Sequence, residues 1–188
     1  MRDERLSIVA ASALVLGALL GMAGSFAPTA ELRGLCWGID GTALVVGTSL
    51  LAVHHLRRGN DLLAAAFLVY MVGETLMVLG ASMELSASAS LLAAGTALWS
   101  ASLGLASASD SMPRFVRLTG AVASVMFAIT AIQNFGGGHL TPLSRPLPFF
   151  GFPFLALTLF GWAWAHRPAR WVSRAADVPD TEKRPLPN

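Results

Sequence analysis

Glu74 is the residue around which chemistry could be organised, because it is the one acidic side chain read as deep in a long apolar stretch. An isolated carboxylate in hydrocarbon is costly, so this side chain is expected to face protein rather than lipid. Counted outward from Leu62, it lies about 10 Å below the far end of its stretch at 1.5 Å per residue. No lysine or arginine falls at that depth. The expected partners are therefore hydroxyls: Thr96, Thr130 and Thr48 from neighbouring stretches, with Tyr70 one turn away on the same face. Such a group is either a proton- or solute-binding carboxyl or a neutral acid tied to hydroxyls as packing.

Gln133 and Asn134 end the fifth apolar stretch, just before Gly136, Gly137, Gly138 and His139. Polar amides beneath a flexible loop, with Glu74 near the same level, would form an outward-facing polar vestibule, or else simply an ordinary helix end followed by a glycine stop, which is the preferred reading. Arg145 is the cation of that loop placed to approach a buried acid. At the opposite end His54 and His55 precede Arg57 and Arg58, and His166 ends the sixth stretch at a similar depth. Histidines on two helices at one level are spaced as bis-histidine haem ligands are, which makes His54 and His166 the cofactor candidates. Neither lies well inside its stretch, however, and contact with lipid headgroups is the preferred reading.

Several enzyme signatures are absent. The chain has no HExxH, no GxSxG and no paired Asp/Glu motif of the kind that holds magnesium against a pyrophosphate. The serines of the fourth stretch have no histidine at their depth. No cofactor or metal is therefore assigned, and the single Cys36 rules out an internal disulfide or a Cys-rich metal site.

The elements that must position these residues are membrane helices. Of 188 residues, 54% are hydrophobic and 13% charged, about half the charge of a soluble domain. A pI near 9.3 comes with a net charge of only +2, and the basic residues flank apolar stretches. Anionic lipid is thus the expected partner and nucleic acid is not. A bilayer core of about 30 Å needs about 20 helical residues, and six spans meet this within a turn: 6–26, 38–56, 62–81, 87–108, 115–134 and 148–165. Eleven of the thirteen Lys/Arg fall on one side of this threading, and only Arg33 and Arg145 fall on the other. The expected class is therefore all-α and polytopic, a six-transmembrane-helix bundle with cytoplasmic N and C termini.

A transmembrane domain over 1–166 is expected to precede a basic, proline-containing tail over 167–188. There Arg167, Arg170 and Arg174 would join Arg57 and Arg58 in touching headgroups. The first span, at 21 residues, exceeds a signal-peptide core and is expected to be retained. Gly17 and Gly21 offer it a close-approach face, and the small residues of the fourth span place that helix centrally. Trp37, Phe149, Phe150, Phe152, Phe154, Trp162, Trp164 and Trp171 are expected at the interfaces. Ala, Gly and Leu richness points to a bacterial inner membrane. Two functions follow: a non-catalytic accessory or scaffold subunit of a membrane complex, or a small-solute or proton-linked transporter with Glu74 at its site.

Overall fold

The computed structural model describes residues 2–81 and 85–167, except for the side chains of 2, 3 and 85–87. Among these residues the chain forms six helices and no strand. They are α1 (Arg2–Ser25), α2 (Ala30–Leu56), α3 (Asp61–Ala81), α4 (Leu85–Ala108), α5 (Arg114–Phe135) and α6 (Gly151–Ala165). Each helix packs on the one before and the one after it, and α6 closes on α1, so the six stand in a ring in chain order. Short connections impose that order. Between α2 and α3, Gly59 takes a left-handed φ of 69° and Asn60 Oδ1 accepts from the Leu63 N–H at 3.4 Å.

Five of the helices are long and apolar enough to cross a membrane. Leu19, Leu79, Leu118, Val125, Ile132 and Leu157 are exposed on the bundle, as lipid-facing positions require. The chain is a multi-pass helical membrane bundle.

The elements depart from the expected spans at two places. α2 begins at Ala30 rather than 38, because Thr29 caps it, its Oγ1 accepting from the Leu32 N–H at 3.2 Å, with Glu31 in the first turn. Most of the expected outer loop is therefore helix. α6 begins at Gly151 rather than 148, since the proline-rich segment before it runs in turns. Its 15 residues rise only about 22 Å.

Two packing expectations are also corrected. α4 is not central, because its backbone packs only on α3 and α5 and it meets α6 through the Trp99 and Phe152 rings. Its small residues serve those two flanks. A Cβ on Gly73 of α3 would lie 3.1 Å from the Gly95 carbonyl, and one on Gly95 would lie 3.1 Å from that of Gly73. On the other flank Ser100 Oγ donates to Ser124 O at 2.8 Å and Ser124 Oγ returns a bond to Ser100 O at 2.7 Å. Trp162 is fully buried. Residues two apart on a helix face opposite ways, so only Trp164 is left at the surface. The ring's interior is filled by aromatics: Trp162 packs edge-on to Phe67 and Tyr70, Tyr70 stacks on Trp99, and Trp99 meets Phe127 and Phe152.

Candidate functional site

Because α2 starts early, Asp40 lies ten residues into it, about 15 Å from its outer end. Arg33, Trp37, Asp40 and Leu44 recur at helical spacing, and all four face a cavity of about 540 Å³. α1 admits the Asp40 carboxyl through its glycine face: a Cβ on Gly21 would sit 2.7 Å from Asp40 Oδ2, and one on Gly17 would sit 3.1 Å from Oδ1. From α3, Glu74 enters the same cavity, only 3% exposed. A Cβ on Gly41 would lie 3.1 Å from Glu74 Oε1. The residue after Asp40 is thus glycine where the second acid passes, and the two carboxyls are close enough to interact electrostatically.

The cavity reaches the surface at Ala30 and Gly34, both exposed, with Arg33 and Pro142 nearby. Trp99, Phe152 and Leu159 line it on the α4 and α6 side, and the aromatic packing separates it from the other end of the ring. Several of the polar atoms in and beside it have no partner among the described residues. Asp40 Oδ1, Glu74 Oε2, Tyr70 Oη, Trp99 Nε1 and Arg33 Nε are all buried without a hydrogen-bond partner. Tyr70 and Trp99 turn their O–H and N–H toward Glu74 without closing a bond on it. A buried polar atom left unpaired costs about 1–3 kcal/mol, so the four that line this space, with Tyr70 Oη beside Glu74, call for water or a solute to fill it. Arg33 is held by Nη2 donating to Ala27 O at 3.1 Å, with its guanidinium 6.0 Å from the Trp37 ring centre.

The residues singled out in the sequence are distributed differently. Thr96 donates to Leu92 O at 2.8 Å, Thr130 to Met126 O at 3.0 Å and Thr48 to Leu44 O at 2.7 Å. Their protons go to their own helices rather than to Glu74, because a threonine reaches the carbonyl one turn back more easily than a side chain across an interface. Tyr70 does share the Glu74 face. Gln133 is exposed and does not line the cavity. Asn134 clasps the loop, its Oδ1 accepting from Leu140 N–H at 2.9 Å and its Nδ2 donating to Leu140 O at 3.3 Å. Arg145 lies 4.5 Å over Phe149, and the cation at the cavity is Arg33. Arg57 and Arg58 are exposed, and Arg167 lies 3.4 Å over Trp164. Arg170, Arg174 and Trp171, with the rest of the tail, fall outside the described residues.

Sequence reading missed Asp40 and Trp99. With α2 started at 38, Asp40 passes for an interfacial residue. The signal that would have exposed it is Thr29 followed by Glu31, a helix start.

At the other end of the ring, His55 Nε2 and His166 Nε2 are 2.8 Å apart, and His166 Nδ1 is 2.7 Å from Trp162 O. A carbonyl only accepts, so Nδ1 of His166 carries its proton and the His55 Nε2–H donates to His166 Nε2. A tetrahedral zinc with bonds of about 2 Å would hold two such nitrogens roughly 3.3 Å apart, wider than this pair. His54 meets His166 edge to face with ring centres 5.9 Å apart, and His55 and Phe67 pack beside them, leaving no slot for a macrocycle. His166 lies one residue past α6, and burial pushes its imidazole below the ordinary value.

Fold and site together define a multi-pass helical membrane protein with an acid-lined cavity inside its ring. No family model, curated protein or solved structure matches this chain.

Proposed function

We propose that this protein is a proton-linked transporter of a small solute, with Asp40 and Glu74 as its site. The observation that carries the reading is the cavity, where two carboxyls from adjacent helices share one space with buried polar atoms lacking partners. Transport sites require convergent polar groups deep in the bundle, reachable from one side and closed toward the other. Here the outer helix ends supply the access, and the Trp99, Tyr70 and Trp162 packing with the His55–His166 bond supplies the closure. Charge placement orients the open side away from the cytoplasm, with both termini cytoplasmic. The alanine- and glycine-rich composition favours a bacterial inner membrane, and Arg57, Arg58 and Arg167 are placed for anionic headgroups. A purely accessory role has less support, since the small residues that motivated it are used between α3, α4 and α5.

The test is flux in proteoliposomes loaded with a pH-sensitive dye. A panel of amines, amino acids, sugars and carboxylates is added outside. One class is expected to change the internal pH with wild-type protein and to fail with Asp40→Asn or Glu74→Gln incorporated at equal yield. If no class changes the internal pH, or both variants behave as wild type, the reading is wrong.

A further inference from the structure

Resting on that reading, we infer that the solute is a small monovalent organic cation, an ammonium with apolar substituents, and that it and a proton occupy the Asp40–Glu74 pair in turn. The charge arithmetic of the cavity sets the valence. Among the described residues two carboxyls and one guanidinium line it, so with both acids ionised these groups leave one negative charge uncompensated. Arg33 stands seven residues up α2 from Asp40, about 10 Å nearer the outer end. Its hold on the Ala27 carbonyl keeps it there. The deeper part of the space is therefore where the negative charge lies.

The walls set the chemical character. Trp37 and Trp99 bring indole rings, and Met22 and Met77 bring polarisable thioethers, around a space otherwise lined mostly by apolar residues. Indole faces attract cations through their quadrupole, most strongly where water is excluded. A divalent metal ion would overcompensate the single negative charge, and two carboxyls supply few of the six to eight oxygens that Ca²⁺ takes. A bulky alkylammonium needs only a counter-charge and an apolar jacket. The volume of about 540 Å³ is also that of a small-molecule site.

Exchange with a proton follows from what surrounds the two acids. α1 presents Gly17, Ala18, Gly21 and Met22, and the α6 side presents Phe152 and Leu155, none of them titratable. α4 gives Trp99 and Ser88, so among the described residues the other ionisable groups facing the pair are Arg33 and Tyr70. A second negative charge in such a space needs a counter-ion, which is either a proton on the carboxyl or a cation beside it. When the ammonium arrives, one carboxyl O–H bond breaks, its electron pair stays on the carboxylate and the proton leaves to water. The net charge of the cavity is unchanged, so neither state is prohibitive.

The experiment uses the full chain in detergent, with choline as the cation, 3,3-dimethylbutan-1-ol as its neutral isostere and glycine betaine as the zwitterion. Thermal shift and titration calorimetry measure binding, and a weakly buffered indicator dye measures protons released. Choline is expected to raise Tm where the isostere does not. Its affinity should fall about tenfold per pH unit on the acid side, binding should release protons, and Asp40→Asn and Glu74→Gln should each weaken it at least tenfold. Proton release by the wild type does not depend on how the variants fold. If the isostere or betaine binds as well as choline through the same carboxyls, the cation class is overturned while the proton-linked site stands. If choline binds without releasing protons, the exchange is overturned. If none of the three binds, the inference is overturned, and the wider solute panel alone then decides the transport reading.

Discussion

Tyr70 concentrates the tension of the site in one atom. Its ring is fully buried, stacked on Trp99 and edge-on to Trp162, yet its hydroxyl closes no hydrogen bond among the described residues. Removing a buried, unpaired hydroxyl while keeping the ring relieves a cost on the order of 1 kcal/mol. Tyr70→Phe is therefore expected to leave the Tm of the empty protein unchanged or raised, and to weaken solute binding severalfold. A lowered Tm would mean that the hydroxyl already has a partner in the chain and is structural. Glu74 and Tyr70 could be found in the sequence because a carboxyl in an apolar run is conspicuous and a tyrosine four residues away shares its face. The supposed threonine partners could not, since a sequence does not say whether a hydroxyl turns across an interface or back along its own helix.

At the level of elements, the site depends on how closely α2 lies against α1 and α3. A Cβ on Gly41 would collide with the Val78 side chain. Gly41→Ala should then push α3 away and cost about 1–3 kcal/mol, as overpacking does, lowering Tm and solute affinity together. An unchanged Tm would show that Val78 yields freely. The five long helices could be read from apolar length alone, but the start of α2 could not, because Glu31 and Arg33 break the hydropathy before Gly38. That one boundary hid Asp40, whose depth is a count from Ala30. The His55–His166 bond joins α2 and α6, which do not otherwise pack on one another. His166 is bonded as the neutral imidazole, and its folded-state value lies below the ordinary 6.5. Its contribution to stability is therefore whole above about pH 6.5 and lost as pH falls below that. With His55, His54 and Arg58 facing it, a proton there also meets repulsion. Wild-type Tm should drop between pH 7 and 5, and His166→Phe should flatten the drop. An equal drop in the variant would place the titration elsewhere.

For the whole molecule, the arginines decide which way the cavity faces. Arg57, Arg58, Arg114 and Arg117 share the end of the bundle at which Asn60 Nδ2 donates to Ser111 Oγ at 3.2 Å. Arg33 and Arg145 share the other end, where Phe26 meets Phe149 and the cavity reaches the surface. Lysine and arginine resist translocation, so the first end is expected in the cytoplasm. In a Cys36→Ala background, a cysteine replacing the exposed His139 should react with a membrane-impermeant maleimide on intact cells. One replacing the exposed Ser111 should react only after permeabilisation. The reverse pattern would turn the mouth of the cavity toward the cytoplasm, making Asp40 and Glu74 load from inside. It would leave their pairing intact, because the pairing depends on Gly21, Gly41 and the α2–α3 contact and not on which side of the membrane they face. The labelling pattern thus tests direction alone, and flux lost in Asp40→Asn would persist as the signature of the site under either outcome.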